Sequence, residues 1–271
     1  MTALPQPIAP DIRVEYVTPQ MAQTYLEHNM NNRTLSRIQV GKYAHAMSIG
    51  DWQLSDPIKF DTYGRLIDGQ HRLAAIIESG VTVAMFVVRG LDPSAQDIID
   101  TGRARTASDA LKIHGYERYV ILASAAKLLI AYENGWINTV SDSRYPRIIT
   151  TPEIVRYIDQ HPRLHNAAKG ADTDRQSVKM QTSVLCFGRY VLSQVDELAA
   201  HAFFDDLREM RTGGHGDPRS ALLKRLANQQ KRLSQPEAIY LMFRTWNAVR
   251  TGEPMHLIKI VSRDAKIPKP I

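Results

Sequence analysis

The sequence predicts an α+β fold, in which a small mixed sheet with helices is followed by an all-helical C-terminal domain. Short segments of strand character alternate with helical patterns up to about residue 115. Beyond that point, apolar residues recur almost entirely at helical spacing. A chain of 271 residues that is 44% apolar can also bury a sizeable core. We therefore expect a flexible arm at residues 1–11, an α+β domain at residues 12–115 and a helical domain at residues 116–271.

The elements of the first domain are predicted from signals at their ends. Thr18 followed by Pro19 is typical of a helix N-terminus, because threonine caps free N–H groups and proline already has the required φ. Gly50 and Gly80 are expected to end two further helices. The predicted strands span residues 12–17, 57–60, 65–67 and 81–88, and the predicted helices span residues 19–29, 34–49 and 70–79. Asp92-Pro93 is expected to start another helix.

Helices account for almost all of the second domain. Thr150 and Glu153 predict a capping box, in which each side chain hydrogen-bonds to the backbone N–H of the other residue. The predicted helices span residues 119–133, 151–160, 176–194, 196–210, 218–232 and 236–250. One further strand is expected at residues 257–261.

The composition excludes several classes of protein. No run of about 18 apolar residues is present, so a membrane partner is not expected. The N-terminal residues lack the charged and then apolar pattern of a signal peptide. The one cysteine, Cys186, cannot form an internal disulfide, which fits a cytoplasmic protein.

The net charge of +6 is distributed unevenly. Residues 207–271 contain 13 Lys and Arg against 5 Asp and Glu, whereas residues 1–206 contain 21 against 23. This asymmetry predicts a face that contacts nucleic acid, most simply DNA, through phosphates and without sequence specificity. The alternative is a set of ordinary solvated helices or an oligomer interface. The residues expected to line the face are Arg219, Lys224, Arg225, Lys231 and Arg232.

The strongest local signal is the segment Asp68-Gly69-Gln70-His71-Arg72, which we call the glycine junction (residues 68–72). It follows a predicted strand and opens a predicted helix. A glycine there allows a ligand to approach the backbone, and the free N–H groups and dipole of a helix N-terminus favour a phosphate. His71 and Arg72 are expected to add donors. The segment therefore predicts an anion-binding site.

Asp68 has two interpretations that are compatible with each other. Its carboxylate would lie at the edge of a bound phosphate, where it could hold Mg²⁺ or accept a proton from an attacking hydroxyl. Alternatively, it caps the helix through a backbone hydrogen bond.

The glycine junction, preceded by Gly50-Asp51-Trp52 and by the apolar segment 57–61, resembles the ParB/sulfiredoxin superfamily. It is similar in particular to a branch of bacterial and phage proteins that has Asp-Gly-Gln-His-Arg at this point. The equivalent stretch reads Gly-Glu-Arg-Arg in ParB proteins, where it binds a nucleoside triphosphate, and Gly-Cys-His-Arg in sulfiredoxin, where it binds ATP. The resemblance covers roughly residues 12–110.

The resemblance implies that the glycine junction binds ATP or CTP with Mg²⁺. Gln70 stands where sulfiredoxin has its reactive cysteine, which excludes reduction of sulfinic acids. His71 stands where ParB proteins have an arginine, which leaves the preferred nucleotide open. Within the glycine junction, the residues expected to contact the nucleotide are Gly69, Gln70, His71 and Arg72. Arg33 is expected to assist, because the segment Asn31-Asn32-Arg33 is similar to an upstream box of the superfamily. Arg103 and Arg105, which follow Gly102, are the remaining expected contacts.

Three functions remain open from the sequence. The first is a DNA-associated, ParB-like protein of bacterial or phage type, in which nucleotide binding or hydrolysis switches its conformation or its self-association, for example as a homodimer. The second is a kinase that transfers the γ-phosphoryl group of ATP to a small hydroxyl compound or a modified DNA base, with Asp68 as its base or metal ligand. The third is a non-catalytic interaction protein. No metal–carboxylate cluster supports the nuclease activity that many relatives of ParB are named for.

Overall fold

The computed structural model describes residues 10–29, 32, 34–98, 106–142 and 148–271. The chain divides into two units, Met1–Ala104 and Arg105–Ile271. Each unit has its own hydrophobic core. The boundary lies earlier than the expected one after residue 115. The reason is a short helix, α4 (Ala107–Ile113), whose Leu111 is fully buried in the core of the second unit.

The first unit is built on a four-stranded mixed sheet, as predicted. Strand order is β1-β4-β2-β3; β1 is antiparallel to β4, β2 is parallel to β4, and β2 and β3 form an antiparallel hairpin. The elements are β1 (Asp11–Val17), α1 (Pro19–Glu27), α2 (Arg37–Ser48), β2 (Ile58–Asp61), β3 (Leu66–Asp68), α3 (Gln70–Ser79) and β4 (Val83–Leu91).

The core of the first unit lies on one face of the sheet. Side chains alternate between the two faces of a strand, and Met85 and Val87 of β4 belong to the same buried cluster as Leu73 and Ile76 of α3. Two predicted helices differ from the structure. Helix α2 starts at Arg37 because Ser36 is its N-cap, and residues Pro93–Ile98 form a 3₁₀ helix.

The second unit is helical, as predicted, apart from one isolated β-bridge among its described residues, between Thr139 and Lys266. Its core includes Phe187, Phe243 and Trp246. The helices that follow α4 are α5 (Tyr119–Glu133), α6 (Thr151–Gln160), α7 (Arg163–Asp174), α8 (Thr182–Val195), α9 (Glu197–Arg208), α10 (Pro218–Ala227) and α11 (Gln235–Thr251).

The strand expected at residues 257–261 is wrong. This segment has no strand neighbour among the described residues, and the chain around it is held by side chains instead. Trp246 Nε1 donates to the Ile271 carbonyl at 2.8 Å, and Asn247 Nδ2 donates to the Lys269 carbonyl at 2.8 Å. Helix α7 was not predicted, while α8 begins later and α10 ends earlier than predicted.

Within the described residues, no helix combines the length and the apolar character that crossing a membrane requires.

Candidate functional site

The glycine junction connects β3 to α3, and its backbone requires glycine. Gly69 is the N-cap of α3 and has a φ of +106°, a conformation that L side chains rarely adopt. A Cβ atom at this position would lie 3.1 Å from the Cα atom of Ile58. The close approach of the junction to β2 therefore depends on the absence of a side chain.

Arg72 is 7% exposed and binds inside the unit. Its Nη2 atom donates to the Pro57 carbonyl at 2.7 Å and lies 3.1 Å from Asp68 Oδ1. Lys59 Nζ lies 3.0 Å from the other oxygen, Asp68 Oδ2. Two cations on one carboxylate leave a net positive charge beside the first turn of α3.

One donor in this cluster is unsatisfied. The Nε atom of Arg72 is buried and has no hydrogen-bond partner among the described residues. A buried N–H group without an acceptor costs free energy, so such groups indicate a role or an acceptor not yet in place. The first N–H groups of a helix likewise have no acceptor within the helix. An anion at the first turn of α3 would supply acceptors for these backbone N–H groups.

His71 and Gln70 make contacts that differ from the expected ones. His71 Nε2 accepts a hydrogen bond from the Ser36 backbone N–H at 3.0 Å, so this nitrogen carries no proton to donate to a phosphate. Gln70 Oε1 accepts from Asn29 Nδ2 at 3.0 Å. Both side chains are buried and tie the junction to the segment between α1 and α2. These contacts help to position the backbone of the junction.

Asp68 does not cap α3. The cap residue is Gly69, which makes no side-chain cap hydrogen bond, and the Asp68 carboxylate is instead bound by Lys59 and Arg72. Lys59 was missed by the sequence analysis. The signal that could have found it is the hairpin register, which places Lys59 opposite Asp68 and so pairs opposite charges across two strands.

The other predicted nucleotide contacts, Arg33, Arg103 and Arg105, lie outside the described residues. In the part of the chain that the structure describes, no group of three or more His, Cys, Asp or Glu side chains is placed to hold a metal ion.

The predicted nucleic-acid contacts divide into two groups. Arg219 is not a free surface cation. It is half-buried and forms ion pairs with Asp206 and Asp217, and Asp217 Oδ2 lies 2.8 Å from Arg219 Nη2. The other four have no ion pair with any described acid, and three of them are exposed. They form what we call the basic α10 surface: Lys224, Arg225, Lys231 and Arg232.

The ion pair at Asp217 predicts a pH dependence of stability. Burial on its own would raise the pKa of the Asp217 carboxyl, but hydrogen bonds from the Arg219 side chain and from backbone N–H groups outweigh it and lower the pKa to about 2. A carboxyl with a lowered pKa in the folded state adds stability above its unfolded pKa, and that stability is lost as the pH falls through the folded pKa.

Asp217→Asn is therefore expected to lower the free energy of unfolding at neutral pH by about 2 kcal/mol, since asparagine keeps the helix cap but removes the charge. The difference from wild type should shrink below about pH 4 and vanish near pH 2, as measured by urea unfolding across this range. A difference that is constant with pH would show that the charge of Asp217 is not the cause.

The second unit also contains a cleft of about 400 Å³ between α7, α8 and α9. Its wall includes Arg189, whose Nε and Nη2 atoms bind the buried Asp174 carboxylate at 2.5 and 2.9 Å. Gly170 admits this guanidinium, because a Cβ atom there would lie 2.7 Å from it. The rest of the cleft lining carries both signs of charge, with Arg163, Lys169 and Arg208 as well as Glu197 and Asp205.

Comparison with protein-family models finds no match, and comparisons with curated proteins and with solved structures find no significant match either.

Proposed function

We propose that the glycine junction binds the phosphates of a nucleoside triphosphate and that this binding switches a ParB-like, DNA-associated protein of bacterial or phage type. The observation that carries the proposal is Arg72: a buried guanidinium in the first turn of α3 with one N–H group that finds no acceptor among the described residues. The resemblance of the Asp68–Arg72 sequence to the ParB/sulfiredoxin superfamily supports the same ligand. A cytoplasmic location fits the proposal, because Cys186 is a buried free thiol.

The residues present fit ATP or CTP with Mg²⁺. The helix dipole and the first N–H groups of α3, which begins directly after Gly69, attract a phosphate. Arg72 contributes a charge-assisted hydrogen bond, and Lys59 adds positive charge from β2. When bound, Mg²⁺ neutralises phosphate charge. Asp68 is the carboxylate at the junction, and it would have to release Lys59 or Arg72 to hold the ion.

The kinase alternative is supported less well by the contacts of Asp68. Both carboxylate oxygens are bound to cations, one to Lys59 and one to Arg72. A general base must be free to accept the proton of the attacking hydroxyl. To act as a base, Asp68 would have to release a cation first, whereas binding of the phosphates by the N–H groups of α3 needs no free oxygen of Asp68. A non-catalytic protein would have no need for the unsatisfied donor of Arg72.

The basic α10 surface is the proposed contact for nucleic acid. Lys224, Lys231 and Arg232 are exposed, and the described acids do not neutralise them. Such side chains bind DNA phosphates and release counterions, so affinity falls with the logarithm of salt concentration. The surface contains no feature that reads bases, which predicts binding without sequence specificity.

Calorimetry with ATP, CTP and GTP in the presence of Mg²⁺ tests the nucleotide site. Wild type is expected to bind at least one triphosphate, and Arg72→Ala should weaken binding roughly 10- to 100-fold, the value of a hydrogen bond to a charged group. Lys59→Met should weaken it less, since it removes only a neighbouring charge.

The matched control is Lys42→Met, which removes an exposed lysine of α2 that has no ion pair with a described acid. This variant should bind as wild type does, and circular dichroism should show all variants folded. If wild type binds no triphosphate, the proposed function is wrong. A preference for CTP would favour the switch, and turnover of ATP with a hydroxyl acceptor would favour the kinase.

Fluorescence anisotropy with duplex DNA over a range of salt concentrations tests the proposed contact between the basic α10 surface and DNA. Reversing two charges, Lys231→Glu with Arg232→Glu, should reduce the slope of log K against log salt by about 2, because each neutralised phosphate contributes about 0.9. The control is Arg211→Glu, an exposed arginine already paired with Asp206 and Glu209. Equal slopes in both variants would exclude the basic α10 surface as the contact.

A further inference from the structure

Strand β1 is an edge strand that is neither short nor bulged, and its protection as an edge is limited to the charged side chains of Asp11, Arg13 and Glu15. Its one strand neighbour among the described residues is β4, and the register with β4 runs from Asp11 to Val17 without a bulge. Natural edge strands are normally kept short, bulged, covered or rich in lysine, because their unpaired N–H and C=O groups bind other strands. A regular seven-residue edge is therefore a site for strand addition.

The same strand exposes a row of apolar side chains. Ile12, Val14 and Tyr16 point to one face of the sheet and are 62%, 50% and 73% exposed. The register places Val14 beside Phe86 of β4, which is only half-buried, so the apolar surface continues across two strands. Exposed apolar patches of this kind are typical of interaction surfaces.

The other face of β1 has alternating charges. Arg13 is exposed, and Glu15 is held by Arg89 and by the hydroxyl of Tyr25 at 2.6 Å. The hydrogen bonds from Arg89 lower the pKa of the Glu15 carboxyl. The charges of Arg13 and Glu15 are thus arranged symmetrically about Val14, with one positive and one negative side chain at equal distances.

We propose that a second copy of this chain pairs with β1 in antiparallel orientation about a two-fold axis at Val14, which joins two four-stranded sheets into one. In this register Arg13 lies opposite Glu15 of the partner subunit and Glu15 lies opposite the partner's Arg13, so both cross-strand pairs have opposite charges. Ile12 lies opposite the partner subunit's Tyr16, which brings the two apolar rows together.

The charges select this register over its neighbours. A two-fold axis at Arg13 or at Glu15 would place that residue opposite its own copy and so oppose like charges. An axis at Ile12 would pair Arg13 with Asp11 of the partner subunit, but it would bring Pro10, which has no N–H group, into the ladder and leave Glu15 to Val17 unpaired. Only the axis at Val14 pairs all seven residues of β1.

A cysteine at the axis tests the register directly. Val14→Cys should form an intermolecular disulfide under mild oxidation, seen as a dimer on a non-reducing gel, because the two copies of residue 14 face each other. Ile12→Cys is the matched control: it is at least as exposed, but its two copies would be about 13 Å apart, too far for a disulfide. Wild type should stay unlinked because Cys186 is fully buried.

Light scattering over a range of concentrations measures the same association without a cross-link. Arg13→Glu should raise the dimer dissociation constant at least tenfold, since it places like charges opposite each other. Arg37→Glu changes the net charge equally at the exposed first residue of α2 and should leave the constant unchanged. The proposal is wrong if wild type is monomeric at all concentrations, or if Ile12→Cys cross-links as well as Val14→Cys does. Both outcomes are independent of whether the glycine junction binds a nucleotide.

Discussion

Replacing Arg189 with methionine is expected to destabilise the helical unit by about 3–5 kcal/mol, because it leaves a buried carboxylate without its partner. Asp174 is fully buried, and the guanidinium of Arg189 binds both of its oxygens. Methionine fills much of the same volume, so the loss reflects charge more than packing. Arg208, whose Nη1 atom lies 3.6 Å from Asp174 Oδ1, can compensate only in part.

Urea unfolding followed by far-ultraviolet circular dichroism measures this effect, since the helices dominate the signal. Arg211→Met is the control: it removes an arginine from exposed ion pairs and should cost no more than about 1 kcal/mol. Arg189→Met combined with Asp174→Leu should recover most of the lost stability, as apolar residues often replace buried ion pairs without penalty. A loss below about 1 kcal/mol in the single variant would show that Asp174 does not depend on Arg189.

The second large effect is expected at Gly69, where alanine should destabilise the first unit by about 2–5 kcal/mol. The left-handed conformation costs an L residue roughly 1–2 kcal/mol. The added Cβ atom would also press against the backbone of Ile58, at 3.1 Å, and overpacking of this kind typically costs a further 1–3 kcal/mol. Because the strain lies at the glycine junction, triphosphate binding should weaken as well.

Gly80→Ala separates the cost of the left-handed backbone conformation from the cost of overpacking. Gly80 ends the same helix with a φ of +69°, but nothing lies within 4 Å of its potential Cβ atom. This variant should therefore show the conformational cost alone, about 1–2 kcal/mol, and normal triphosphate binding. Hydrogen exchange of peptides from α3 reports on each variant. Equal destabilisation by both substitutions would mean that β2 moves away at no cost.

The glycine junction shows how far a site can be predicted from sequence. The helix from Gln70 to Ser79 follows from residues adjacent in the chain and is confirmed. That Gly69 is required by its φ of +106° and by its close packing on Ile58 was not predicted. The directions in which the side chains point do not follow from the adjacent residues. Arg72 points inward to the Pro57 carbonyl because β2 lies beneath α3, and His71 accepts a hydrogen bond because the N-terminus of α2 lies beside it.

The sequence by itself determined the elements whose signals are local. The capping box of Thr150 and Glu153, the hairpin at residues 58–68 and most helix ends depend on groups within a few residues of each other. Only the tertiary structure decided which charges are free. Arg219 pairs with Asp206 and Arg189 with Asp174 because separate helices pack together, and residues 257–261 form no strand because the described part of the chain offers no strand beside them. A side chain's partner depends on the elements that surround it in space, and spacing along the chain does not contain that information.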